Sequence, residues 1–106
     1  MFARQVTMNL KPNSKSEFAN TMDQKVIPLL QKQEGFRDEI AFIVPGGRNA
    51  IAISFWDNEG YAEAYNKSSY ANALKTLSNV VEGTPQIHTY EVSNSTLHRF
   101  TAAHQN

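Results

Sequence analysis

Trp56 closes the alternating run AIAISFW, and Tyr61 and Tyr65 follow it in DNEGYAEAY. An indole offers a flat apolar face and one N–H donor, and each phenol adds a second face and a hydroxyl. Arg4, on the N-terminal run MFARQVTMNL, adds a fixed positive charge. Together these groups could hold a flat aromatic molecule and stabilise its anion. Ala52 and Ser54 share the strand face of Trp56 and are small, which leaves room for such a ligand. Tyr70 and Leu74 follow on the next helical segment and could complete an apolar wall. His88 shares a strand face with Tyr90 and Val92 and could reach the same space as a general base.

Every one of these residues also has a plainer role. A lone tryptophan at a strand end commonly fills a core or an interface, and helical tyrosines commonly sit at the boundary between core and water. Arg4 could lie across the sheet edge with its charge in solvent, and His88 could be satisfied by polar neighbours. Other chemistries find little support. His98 and His104 are separated by a spacing that matches no common ligand pair, and the chain has no cysteine, so no metal site is expected. PGGRN lacks the strand-to-helix context of a phosphate loop, and no Ser, His and Asp group into a triad.

The elements that must position these residues follow from periodicity. Phe2, Val6, Met8 and Leu10 alternate with Ala3, Gln5, Thr7 and Asn9, and Arg4 interrupts the apolar set. KPNSKSE supplies a turn and a capping box between Ser14 and Glu17. Phe18, Met22, Val26, Leu29 and Leu30 lie at helical spacing, with Pro28 inside the pattern, so the helix should kink or restart near Val26. Gly35 is placed to end it in the left-handed conformation. FRDEIAFIV and AIAISFW form a hairpin through PGGRN, whose two glycines can adopt positive φ. A helix capped by Asp57 or Asn58 follows, then a second piece capped by Ser68 or Ser69 with Tyr70, Leu74, Leu77 and Val81 on one stripe. EGTP ends that piece, and QIHTYEVSN is the last strand.

The order β-α-β-β-α-β is that of an α+β, ferredoxin-like split βαβ domain with an antiparallel sheet and both helical crossovers on one face. The domain is expected over residues 1–95, with 96–106 as a C-terminal arm or tail. The opposite sheet face would carry large apolar residues, and its burial against a second copy predicts a homodimer of two packed sheets. Ten basic residues balance ten acidic ones without a basic cluster, which argues against nucleic-acid and membrane partners. The absence of cysteine and of a secretory-type N-terminus suits a cytoplasmic protein.

The strand at the N-terminus, IPLLQKQEGF, the PGGRNAIAISFW hairpin, DNEGYAEAY and IHTYEV together resemble the antibiotic biosynthesis monooxygenase (ABM) domain family of dimeric α+β barrels. The resemblance covers residues 2 to about 94. It implies a two-sheet dimer and either a cofactor-independent monooxygenase acting on a small aromatic, quinol or polyketide-like substrate, or a non-catalytic small-molecule-binding or stress-response module. It implies no cofactor for the oxygenase reading. In the polyketide-oxidising members a Trp ends the third strand and a tyrosine lies about two turns into the next helix. Trp56 matches the first, and Tyr61 and Tyr65 are the nearest candidates for the second, while Ala52 stands where those members carry Asn. Haem-degrading members place an axial His on the last helix. Leu74 occupies that position here, and Arg4 and Gln5 stand near the first-strand Asn position, so haem degradation lacks its metal ligand.

Overall fold

The computed structural model describes residues 1–97. The expected arm, with His98 and His104, lies outside the described residues from position 98 onward. The chain runs β1 (Phe2–Leu10), α1 (Lys15–Thr21), a π-helical turn (Met22–Val26), α2 (Ile27–Gln31), β2 (Phe36–Ile43), β3 (Asn49–Trp56), α3 (Glu59–Ser68), α4 (Tyr70–Leu77) and β4 (Val81–Glu91). The strands form one antiparallel sheet in the order β2-β3-β1-β4. This is the α+β, ferredoxin-like arrangement expected from the sequence, with each helical crossover passing over one strand. Among the described residues no helix is long and apolar enough to cross a membrane.

The first crossover restarts where Pro28 requires it. Proline has no N–H, and its ring crowds the carbonyl of the preceding turn. The chain widens beforehand, with the Ile27 N–H donating to the Met22 carbonyl five residues back. It then resumes as α2 with Pro28 in the first turn, where no N–H is required. Phe18, Met22, Val26 and Leu30 stay on the buried side through this change of pitch.

Four local expectations are corrected. No capping box forms at Ser14, whose hydroxyl donates to the Pro12 carbonyl at 3.4 Å instead. Of the two turn glycines only Gly46 has positive φ. Val81 belongs to β4 rather than to the α4 stripe, and β4 starts there rather than at Gln86. EGTP reads as a terminator, but β4 is an edge strand, where the missing N–H of Pro85 breaks no ladder. A register shift against β1, between Thr7 and Asn9, accommodates Gly83 at φ +65°.

The inner face of the sheet, under the helices, carries Val6, Met8 and Leu10 of β1 and Ala50, Ala52, Ser54 and Trp56 of β3. The outer face carries Ile51, Ile53 and Phe55 of β3, opposite Ile40 and Phe42 of β2. Ile40, Phe42 and Tyr90 are exposed at 41%, 49% and 50%, so this face is open in a single chain.

Gly35 ties the first crossover to the second. It sits at φ +79°, its carbonyl accepts from the Asp57 N–H at 2.9 Å, and Arg37 pairs with the Asp57 carboxylate alongside. A Cβ on Gly35 would lie 2.2 Å from the Tyr61 ring. Gly35→Ala should therefore cost roughly 2–4 kcal/mol, from the left-handed backbone and the overpacked ring together. Thermal unfolding should show a fall of about 10 °C or more. A loss of only one or two degrees would contradict the close approach.

Candidate active site

Strand register places a row of polar residues across the inner face. Glu39 of β2 is opposite Ser54 of β3, Ser54 is opposite Arg4 of β1, and Arg4 is opposite Thr89 of β4. The flanking rows are mostly apolar: Ala41, Ala52, Val6 and Ile87 on one side, Phe36, Trp56 and Phe2 on the other. Neighbouring strands lie about 4.8 Å apart, so the Glu39 and Arg4 side chains leave the sheet roughly 10 Å from each other. The small Ser54 stands between them.

Above this row lies a narrow cavity that leaves about 40 Å³ for the centre of a water-sized sphere. Its floor is Arg4, Val6, Met8, Glu39, Ala52 and Ser54. Its roof is Met22, Val26 and Leu30 from the first crossover and Tyr65, Tyr70, Ala73, Leu74 and Leu77 from α3 and α4. This apolar lining with a few polar groups has the character of a small-ligand site.

Arg4 is the dominant charge. It is only 3% exposed, its guanidinium carbon lies 3.9 Å from the Tyr70 ring centre and 5.4 Å from that of Tyr65, and Nη2 donates to the Asn66 side-chain carbonyl at 2.8 Å. No carboxylate lies within 4 Å of it among the described residues. The ring quadrupoles contribute up to about 2 kcal/mol each in a desolvated site. They do not neutralise the charge, so the cavity wall stays positive. The plainer role for Arg4, across the sheet edge with its charge in solvent, is therefore set aside.

Trp56 is fully buried and stands behind the wall rather than in it. Its ring stacks on Tyr65 at 5.2 Å and meets Phe36 edge-on at 5.5 Å. Its Nε1–H donates to Ser54 Oγ at 2.9 Å. Both the face and the donor expected to serve a ligand are thus engaged within the protein. Trp56 positions Tyr65 and Ser54, which themselves line the cavity.

Burial pushes the Tyr65 phenol up to about 12, against the opposing charge of Arg4, so its hydroxyl stays protonated and able to donate at neutral pH. Burial also raises Tyr70, again tempered by Arg4. Arg4 lies over the Tyr70 ring and close enough to its hydroxyl to lower it, yet Tyr70 Oη is buried without a well-formed hydrogen bond. Glu39 Oε2 is in the same position, and burial pushes its carboxyl up to about 7.

Of the residues singled out from the sequence, Arg4, Ala52, Ser54, Tyr65, Tyr70 and Leu74 line one cavity, with Trp56 directly behind. Two do not converge. Tyr61 lies on the far side of α3, its ring over Gly35 and outside the cavity. His88 pairs with Gln5 and is exposed on the outer sheet face, because the alternation that brings Ile87 and Thr89 inward turns it away. Glu39 was missed. The hairpin pairing of Ile43 with Ala50 carries through to Glu39 opposite Ser54, and that register was the available signal.

No family model matches this sequence, and no curated protein matches it. Solved structures do share its fold. A monooxygenase from Streptomyces coelicolor, solved with nanaomycin D, has a TM-score of 0.75 at 15% identity, covering 89% of this chain and 88% of that one. SnoaB, a cofactor-independent oxygenase from Streptomyces nogalater, has a TM-score of 0.73 at 10% identity, covering 90% and 95%. A protein of unknown function from Nitrosomonas europaea has a TM-score of 0.73 at 19% identity, covering 90% and 91%. Others are named provisionally as antibiotic biosynthesis monooxygenases. At these identities the likeness establishes a shared fold with the antibiotic biosynthesis monooxygenases.

Proposed function

We propose that this chain is a cytoplasmic, homodimeric monooxygenase-like protein that oxidises a small phenol, quinol or polyketide-like aromatic without a cofactor. The observation that carries the reading is the buried, carboxylate-free Arg4 on the wall of an apolar, aromatic-lined cavity. The fold shared with a cofactor-independent oxygenase supports it. Arg4 holds the ligand's anion, which makes the ring a better electron donor to oxygen. One electron passes to O2, the two radicals combine at a ring carbon as a peroxide, and loss of water leaves a carbonyl. Overall, a phenol and O2 give a quinone and water, so the substrate supplies every electron. Tyr65 donates a hydrogen bond to the peroxide, and Trp56 holds Tyr65 in place.

Binding without turnover is the second reading, and one observation favours it. The indole N–H of Trp56 is already taken by Ser54, leaving fewer donors for an oxygen intermediate. Oxygen uptake separates the two. Purified protein should consume oxygen with a naphthol or hydroquinone in the presence of a chelator, and Trp56→Phe and Tyr65→Phe should each lower the rate by about tenfold or more. Uptake abolished by chelation, or surviving both substitutions, would contradict catalysis here. Saturable binding with no uptake would establish the second reading.

The open outer face supports the dimer, because Ile40, Phe42, Ile51, Ile53, Phe55 and Tyr90 form one apolar surface. Light scattering at micromolar concentration should give twice the chain mass of 11.9 kDa. A monodisperse monomer would overturn this assignment.

A further inference from the structure

Glu39 is the one acidic side chain among the cavity's lining residues, and the reading above leaves it unused. It also lines a second, shallower groove with Phe18, Ala19, Met22, Asp23 and Ile27, open at the β2 edge of the sheet. Glu39 therefore stands between the cavity and a neighbouring, more open groove. Its Oε2 is buried and has no hydrogen-bond partner, as has Tyr70 Oη across the cavity. Two buried polar atoms, on residues that line one cavity, are thus left short of hydrogen-bond partners.

We propose that Glu39 is the proton acceptor of this cavity: its carboxylate takes the hydroxyl proton of a bound phenol, and Arg4, across Ser54, holds the phenolate so formed. This rests on the reading of the cavity as a site for phenol-type ligands. In the transfer the phenol O–H bond breaks and an O–H bond forms on Glu39. The negative charge moves from the carboxylate to the phenolate oxygen beside the guanidinium, and nothing is oxidised or reduced. Tyr70 Oη donates to a second oxygen of the ligand, so a dihydroxy or hydroxy-keto aromatic satisfies both orphaned atoms at once. The groove behind Glu39 then returns the proton to water.

The surroundings of Glu39 suit this role. The titratable or charged groups facing it are Arg4 from β1, Tyr65 from α3, Tyr70 from α4 and Asp23 from the π-helical turn. Burial is what raises its carboxyl, to about 7, which makes it a stronger base than a solvated glutamate and places its proton exchange near neutrality. Because the folded value is raised, the carboxylate that accepts the proton is populated above neutral pH and lost below it.

The probe is 2-naphthol, un-ionised in water near pH 8, whose naphtholate absorbs to the red of the neutral molecule. Bound to the unmodified protein at that pH, it should show the naphtholate band. Glu39→Gln should bind it in the neutral form, with the naphtholate fraction reduced about tenfold or more, and Glu39→Asp should restore part of the band. On the unmodified protein alone, naphthol affinity should rise as pH climbs through about 7, while 2-methoxynaphthalene, with no proton to give, should bind with a flat profile. An undiminished band in Glu39→Gln, a neutral bound form in the unmodified protein, or a flat naphthol profile would each overturn the role of Glu39 and leave the cavity's ligand class standing. Absence of saturable binding to the unmodified protein would overturn both.

Discussion

A cation buried among apolar residues without a carboxylate beside it organises this molecule. Removing a guanidinium from water costs several kcal/mol even after relaxation. Here the Tyr65 and Tyr70 ring faces and the Asn66 amide oxygen offset that cost. Two desolvated cation–π contacts and one charge-assisted hydrogen bond supply at most roughly 7 kcal/mol, of the same order as what the burial takes away. Arg4 is thus tolerated rather than strongly favoured, and its remaining attraction is available to an anion entering the cavity. Every other feature of the site depends on keeping Tyr65, Tyr70 and Asn66 where they meet that charge.

The fold does this through layered packing. Trp56 fills the space behind Tyr65 and is fixed at its other end by its hydrogen bond to Ser54, so one side chain registers α3 against β3. Small residues at Ala52 and Ser54 keep the floor low, while the widened turn before Pro28 keeps Met22 and Val26 in the roof. Gly35 lets the end of the first crossover pass beneath Tyr61, which anchors the start of α3. A position far from the cavity thereby helps to set the height of the tyrosine that lines it.

Element order and the two sheet faces were legible because alternation and helical spacing are strong in β1, β3 and α1, and Pro28 announced its own disruption. What was not legible depends on partners distant in the chain. Arg4 was singled out as a fixed charge for an anion, but nothing in MFARQ indicates that the rings of Tyr65 and Tyr70 receive it. Glu39 was hidden because β2 carries apolar residues at both parities, and only pairing with β3 decides which set turns inward. His88 failed for the same reason on β4. Ser14 and Glu17 have the spacing of a capping box, but the backbone entering α1 from Asn13, at φ +60°, sends the Ser14 hydroxyl back to Pro12.

Trp56 is the sole tryptophan and stacks directly on a cavity wall, so its fluorescence reports on that cavity alone. The most direct measurement is quenching of that emission by 1,4-dihydroxynaphthalene under anaerobic conditions, in the unmodified protein and in Arg4→Met, which keeps an unbranched apolar stem and removes the charge. Saturable quenching that weakens about tenfold or more in Arg4→Met, a loss of about 1.4 kcal/mol, is the predicted result. Quenching that does not saturate, or an affinity unchanged by the substitution, would contradict the claim that a buried arginine makes this cavity a site for aromatic anions.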